Sequence, residues 1–235
     1  MSAPASIEDR ASEGIWIVIP AYNEDFTVHH VVAELRRRYQ NIVVVDDCST
    51  DSTSARAKAA GACIIRHPIN LGQGAALQTG LTFALLQGAR YVVTFDADHQ
   101  HRSEDVPLLL GALANSGADF ALGSRFLGET RNISFSRKLV LKAAVLFSRL
   151  TTGLNLSDAH NGLRAMTRRG ASTLCLRQNR MAHASEILQQ IARSGLKYIE
   201  VPVTIEYTSY SKAKGQRLSN SLNIMLELLT GALQR

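Results

Sequence analysis

Cysteine is scarce in this chain: Cys48, Cys63 and Cys175 are the only three in 235 residues, and no two of them stand in a C-x-x-C spacing. That argues against a disulfide framework and against a cysteine-ligated zinc site, and a reduced, cytoplasmic setting is expected. No apolar run approaches the roughly 18–20 residues that a membrane span requires. Met1–Gly14 is polar and of mixed charge, without the apolar centre of a signal peptide. No internal repeat and no low-complexity linker interrupts the chain, so a single domain over residues 1–235 is expected. With 46% hydrophobic residues, it has material for one sizeable core.

Charge is present but unevenly placed. Between Arg125 and Arg180 there are 11 Lys/Arg against 2 Asp/Glu, while the remainder carries 15 against 18. A basic middle segment suits an acidic substrate or an anionic membrane surface. Nucleic acid is the weakest partner, because the segment has few aromatics and no nucleic-acid motif. A solvated basic face is the plain alternative.

The first half is a succession of short β-rich runs, each stopped by a turn residue, an acid or a polar pair. Ile15–Ile19 ends at Pro20, Asn41–Val45 at Asp46-Asp47, Ala62–Arg66 at His67-Pro68, and Asp119–Leu122 at Gly123-Ser124-Arg125. Tyr91–Phe95 runs without a turn residue into Asp96-Ala97-Asp98. Helical patterns separate these runs: one opening at Asn23-Glu24-Asp25 and continuing to Leu35, then Thr53–Ala60, Ala75–Gln87 and Glu104–Ala114. Regular alternation predicts βαβ units, hence an α/β fold with a mainly parallel central sheet. Ligands of such sheets sit at the carboxyl ends of the strands. Pro20–Glu24, Asp46-Asp47, Arg66-His67 and Asp96–Asp98 all fall at those ends.

The second half is less regular. Leu139–Leu150 is an amphipathic helical stretch carrying Lys142 and Arg149, with Arg137 and Lys138 just before it, Leu163–Met166 reads as a short strand, and Ala182–Arg193 as a helix bearing Glu186. Tyr198–Val203 and Thr204–Tyr207 read as two short strands around Pro202. A leucine stripe from Leu218 to Leu233 predicts a last helix, packed on the core.

Residues of a strand alternate sides, so Asp96 and Asp98 would face the same way if the extended conformation persists. Two unneutralised acids at the rim of a core are costly, and a hard divalent cation carrying phosphate oxygens would relieve them. A solvated strand-to-loop junction would also explain aspartates there. His99 and His101 read as surface or supporting residues, not as metal ligands.

These carboxyl-end residues, taken together, resemble a known family. I-P-A-Y-N-E (Ile19–Glu24), V-D-D-C-S-T-D-S-T (Val45–Thr53), N-L-G-Q-G-A-A-L-Q-T-G (Asn70–Gly80), F-D-A-D-H-Q (Phe95–Gln100) and G-S-R-F (Gly123–Phe126) resemble the inverting family 2 glycosyltransferases, in their dolichol-phosphate mannose synthase-like branch. D-A-H-N-G-L-R-A-M (Asp158–Met166) is similar to that branch's D-x-x-x-G-F-R element, with Leu163 in place of Phe. The resemblance implies a GT-A fold with helices on both faces of the sheet. Residues 1–126 would be a nucleotide-sugar-binding half and 127–235 an acceptor half.

It further implies roles. Pro20, Ala21 and Tyr22 would wall the base, with Glu24 near base or ribose. Asp46 would accept from a base N–H, and Asp47 would serve ribose hydroxyls or cap a turn. Asn70, Gly72 and Gly74 would let backbone approach the ligand, in a loop that is not a Walker motif because no Gly-Lys-Ser/Thr follows. Asp96, Asp98 and Gln100, with Ala97 between the acids, would hold Mg²⁺ or Mn²⁺ against the diphosphate of a nucleoside-diphosphate sugar. Arg125 and Arg164 are candidates to bind phosphate, or else surface ion pairs.

The acceptor turns on Glu186. A saccharide hydroxyl needs a carboxylate base, whereas a lipid phosphate is already an anion and needs positive charge around it. The local sequence His183-Ala-Ser-Glu-Ile187 has one acid where many hydroxyl-using relatives carry two, and this favours a polyprenyl-phosphate acceptor. Glu186 would be the base if the acceptor is a hydroxyl of a cell-surface saccharide such as an O-antigen or capsule unit. Otherwise it would orient Arg164 or bind the donor sugar. A sugar-1-phosphate nucleotidyltransferase is less favoured, because Pro20–Glu24 lacks the Gly-rich basic loop such enzymes carry. For a lipid acceptor the protein would work peripherally at the inner face of the membrane, through Leu139–Leu150 and a separate small membrane partner. Ser209–Arg217 reads as a mobile loop that would close over the donor.

Overall fold

A computed structural model describes residues 14–131, 133, 135–178 and 182–207. The leucine-stripe helix and the loop at 209–217 lie outside the described residues. Seven strands form one sheet: β1 (Ile15–Ala21), β2 (Asn41–Asp46), β3 (Cys63–Arg66), β4 (Tyr91–Thr94), β5 (Phe120–Arg131), β6 (Arg164–Thr167) and β7 (Tyr198–Glu206). The helices are α1 (Val28–Arg36), α2 (Thr53–Ala59), α3 (Gln73–Leu86), α4 (Asp105–Ser116), α5 (Phe135–Thr152), α6 (Arg168–Thr173) and α7 (His183–Ser194).

The strand order is β3-β2-β1-β4-β6-β5-β7. β1 to β4 are mutually parallel, β5 and β7 pair in parallel, and β6 alone runs antiparallel, to both β4 and β5. The expected parallel sheet is thus present in the first four strands. The reversed strand was not predicted, because Arg164–Thr167 is short and its direction depends on which neighbours it meets.

Alternating strand residues feed two apolar layers. Ile17 and Ile19 of β1 join Val28, Val31, Val32 and Leu35 of α1 and Leu109 and Leu113 of α4. Val18, between them, faces the other way, toward Leu77 and Leu81 of α3 and Ile187, Leu188 and Ile191 of α7. Helices therefore cover both faces. Three expectations need correction. The fifth strand does not close at Gly123-Ser124-Arg125 but continues to Arg131, because β7 pairs with it on both sides of a register shift between Ser124 and Glu129. The runs around Pro202 form a single strand, because β7 lies at the sheet margin, where a missing N–H removes no ladder bond. The first helix starts at Val28, later than Asn23–Asp25 suggests, since Glu24 O first accepts from Thr27 N and Val28 N in a turn.

Adjacent leucines on α4 test the layer assignment. Leu109 is wholly buried whereas Leu108 is 52% exposed. Leu109→Ala is expected to cost about 2–5 kcal/mol in urea unfolding, and Leu108→Ala to stay within about 0.5 kcal/mol of wild type. Equal effects at the two positions would contradict this packing.

Candidate active site

The parallel strands β1, β2 and β4 deliver their terminal residues to one rim. Past β4, Asp96 is half-buried and its Oδ2 lies 3.0 Å from His101 Nε2. Gln73 Nε2 is 3.4 Å from the other oxygen. Gly162 makes this possible: a Cβ there would lie 2.0 Å from Asp96 Oδ2, so any side chain would evict the carboxylate. Burial pushes the Asp96 pKa up, but the His101 bond and the charges of Arg164 and His183 outweigh it, and the net direction is downward.

Asp98 behaves oppositely. It accepts Gln100 N at 3.1 Å and Gln100 Nε2 at 2.6 Å. Burial, and then the Asp96 charge, push its pKa up to about 6. Two neighbouring carboxyls with pKa values driven apart mark a site short of positive charge at its outer acid. Asp98 and the Gln100 amide oxygen are hard donors of the kind Mg²⁺ and Mn²⁺ select, so these residues fit the cation that the sequence suggests.

The reversed strand supplies the cation behind the acids. Because β6 is antiparallel, its first residue, not its last, lies at this rim: Arg164 is in register with Thr94 on one side and Leu122 on the other. Arg164 is 4% exposed, and among the described residues no hydrogen bond or close ion pair holds its guanidinium. Burial lowers its pKa, opposed by Asp96 and Asp158. A buried guanidinium in this state is poised for an anion. The surface-ion-pair alternative does not describe it.

Arg125, just beyond the point where β5 leaves β6, is also buried, but its donors are committed. Nε meets Asp158 Oδ2 at 2.6 Å, one terminal nitrogen meets Tyr207 Oη at 2.8 Å, and the other meets the His160 carbonyl at 2.6 Å. Burial lowers the Arg125 pKa and the Asp158 and Tyr207 interactions more than restore it. Arg125 thus ties three chain segments together. His160, between the two arginines, has its pKa pushed down to about 4, chiefly by burial.

On the other flank, Asp46 is buried and accepts Ser49 N at 2.8 Å and the Ser54 hydroxyl. Asp47 receives Leu71 N at 2.9 Å, Gly72 N at 2.6 Å and His67 Nδ1 at 2.8 Å, while Asn70 Nδ2 reaches the Asp47 carbonyl at 3.2 Å. Asp47 therefore clamps the 67–72 loop, a part closer to the turn-capping alternative than to ribose binding. Gly74 also serves an internal approach: a Cβ there would sit 1.9 Å from the Gln178 carbonyl. Pro20 and Ala21 are buried at the end of β1, and Tyr22 stands 45% exposed beyond them. Ala97 is buried between the acids.

Glu186, in the first turn of α7, accepts backbone N–H groups from Arg177 at 3.0 Å and Gln178 at 2.9 Å. It secures the 177–178 segment and makes no contact with Arg164, so the orienting role considered for it is not seen. His101 and Gly162 are the contributions the sequence reading undervalued. The only available signal for His101 was its place five residues after Asp96, and surface histidines share such spacings.

Fold and site together define an α/β protein whose polar groups converge at the carboxyl rim of a mainly parallel sheet. The sequence profile of glycosyl transferase family 2 matches residues 16–174, and the chain belongs to that family. A UDP-N-acetylglucosamine–dolichyl-phosphate N-acetylglucosaminyltransferase of Methanococcus voltae is 32% identical over 93% of this chain and 96% of its own. A polyprenol monophosphomannose synthase of Mycolicibacterium smegmatis is 28% identical over 93% of this chain and 87% of its own. The fold is shared with glucosyl-3-phosphoglycerate synthase of Mycobacterium tuberculosis, solved with Mn²⁺ and UDP-glucose: TM-score 0.73, 21% identity, 99% of this chain and 84% of that one.

Two measurements probe the charge arrangement. A cation held by Asp98 would need that carboxyl ionised, and burial with the Asp96 charge pushes its pKa up to about 6, so Mn²⁺ affinity is expected to be level above pH 7 and to fall by up to about tenfold per unit below pH 6. Calorimetric titrations giving the same affinity at pH 5 and pH 7.5 would contradict that. Asp158→Ala strands the Arg125 charge in the interior and is expected to cost about 3–5 kcal/mol of stability, read from denaturant midpoints. A change below about 1 kcal/mol would show the pair to be incidental.

Proposed function

We propose that this protein transfers a sugar, with inversion, from a nucleoside-diphosphate sugar to a polyprenyl phosphate at a membrane surface. The observation that carries this reading is a groove beside the site with a volume of about 460 Å³, lined by Phe126, Lys138, Lys142, Val145, Leu146, Arg149 and Ser157. Along the same helix, α5, Phe135, Leu139, Leu146 and Leu150 are 83%, 62%, 58% and 77% exposed. Cations in a groove beside exposed leucines match an amphiphile with an anionic head and an apolar tail. No helix among the described residues is long and apolar enough to cross a membrane, so peripheral docking through α5, aided by a small membrane partner, is the reading we adopt. The names of the Methanococcus and Mycolicibacterium relatives support a polyprenyl-type acceptor.

In this scheme residues 1–126 bind the donor and 127–235 the acceptor. Pro20, Ala21 and Tyr22 wall the base, with Glu24 nearby and Asp46 shaping the pocket edge. Asp47 holds the loop of Asn70 and Gly72, and Gly74 lets the 175–178 segment close on it. Asp98 and Gln100, beside Asp96, hold Mg²⁺ or Mn²⁺, which would stabilise charge on the departing diphosphate. Arg164 offers its unshared donors to phosphate oxygens, while Arg125 keeps the acceptor wall in place through Asp158. A phosphate nucleophile is already ionised and needs no proton removed. That agrees with a Glu186 whose oxygens are occupied by backbone N–H groups.

Replacing Glu186 by Gln separates phosphate from hydroxyl acceptors. Turnover with polyprenyl phosphate is expected to stay within about tenfold of wild type, whereas removing a general base costs about 10²–10⁴. Lys138→Glu combined with Lys142→Glu should raise the KM for polyprenyl phosphate and leave nucleotide affinity unchanged. Transfer to a saccharide hydroxyl, lost in Glu186→Gln, would replace this reading with the O-antigen or capsule-type alternative.

A further inference from the structure

From the geometry around His99 we infer a second divalent-cation site of zinc type, formed by His30, Glu34 and His99 and separate from the Asp98 site. His30 and Glu34 stand four residues apart on α1, a spacing that puts both on one face of the helix. His99 comes from the loop that follows β4. Its ligand nitrogen, the His30 ligand nitrogen and a Glu34 oxygen all lie within 4.8 Å of one another. His30 Nε2 is 3.6 Å from one Glu34 oxygen, and His99 Nε2 is 3.6 Å from the other. The two imidazoles meet edge to face with centroids 4.6 Å apart.

Two features favour a cation over a simple ion pair. Two imidazoles, one at each carboxylate oxygen, stand at Glu34, so two nitrogen donors and a carboxylate face one point. The backbone at His99 has a left-handed φ of 59°. This turns the chain between Asp98, which bonds Gln100, and His99, which reaches α1 instead. Two imidazoles and one carboxylate are the ligand types of open, four-coordinate zinc sites, with water completing the set. Metal–ligand bonds of about 2.0–2.2 Å need the three ligand atoms to draw together only modestly from their present separations. All three side chains keep solvent access, at 62%, 31% and 37% for His30, Glu34 and His99, so an ion can enter. The Asp98 site offers oxygens and selects hard ions; this one offers nitrogen and selects borderline ones. Because His99 adjoins Asp98, an ion here pins the catalytic-rim loop to α1.

Equilibrium dialysis against Zn²⁺ alone, with metal counted per chain, tests the assignment on wild type, His30→Ala and Asp98→Asn. Wild type is expected to bind one zinc equivalent more than His30→Ala, and Asp98→Asn is expected to retain that equivalent. Equal zinc stoichiometry in wild type and His30→Ala overturns the proposal. So does loss of the equivalent in Asp98→Asn, because a single site would then account for all the metal. Neither outcome bears on whether the protein transfers sugar.

Discussion

The structure is arranged around the cost of placing carboxylates at the rim of an apolar sheet. Asp96 keeps its charge because His101 bonds it and Arg164 lies behind it, while Asp98, without an equal partner, has its pKa raised to about 6. One acid is balanced by the protein and the other is left for something else. Burial makes this division consequential, since an uncompensated charge in such surroundings is expensive and a bound cation repays the expense at once.

The same logic runs outward from the acids. The Arg164 guanidinium has no hydrogen-bond partner among the described residues, while each of the three guanidinium nitrogens of Arg125 has one, in Asp158, Tyr207 or the His160 carbonyl. Two arginines close in space therefore have unlike duties: one is free for an anion, the other braces the wall that presents it. Asp46 and Asp47 divide similarly. Both are buried, but Asp47 spends its oxygens on the Leu71 and Gly72 amides and on His67, and so fixes the loop that precedes α3.

Much of the fold was legible from local pattern. Apolar runs ending in Pro20, Asp46, His67 and Asp96 marked four parallel strands and the rim where their ends meet, because strand period and turn residues are local properties. The duties of Glu186, Arg125 and Asp47 were not legible. A carboxylate that caps backbone amides and one that removes a proton are the same residue in a sequence. Only the positions of the Arg177 and Gln178 N–H groups tell them apart. Exposure was equally hidden: His101 and Arg164 are polar residues in polar surroundings along the chain, yet both are buried in space.

The sequence by itself determined the alternation of strands and helices, the acids at the strand ends, and the basic segment that follows them, since each rests on residues within a few positions of one another. Tertiary structure decided the direction of β6. Reversed between β4 and β5, that strand brings its first residue, Arg164, to the rim where parallel strands bring their last. Gly162, immediately before Leu163 and Arg164, then lies against Asp96 with no room for a side chain. The reason is pairing: a short strand takes its orientation from the edges it joins, and those edges come from residues 42 to 76 positions earlier in the chain.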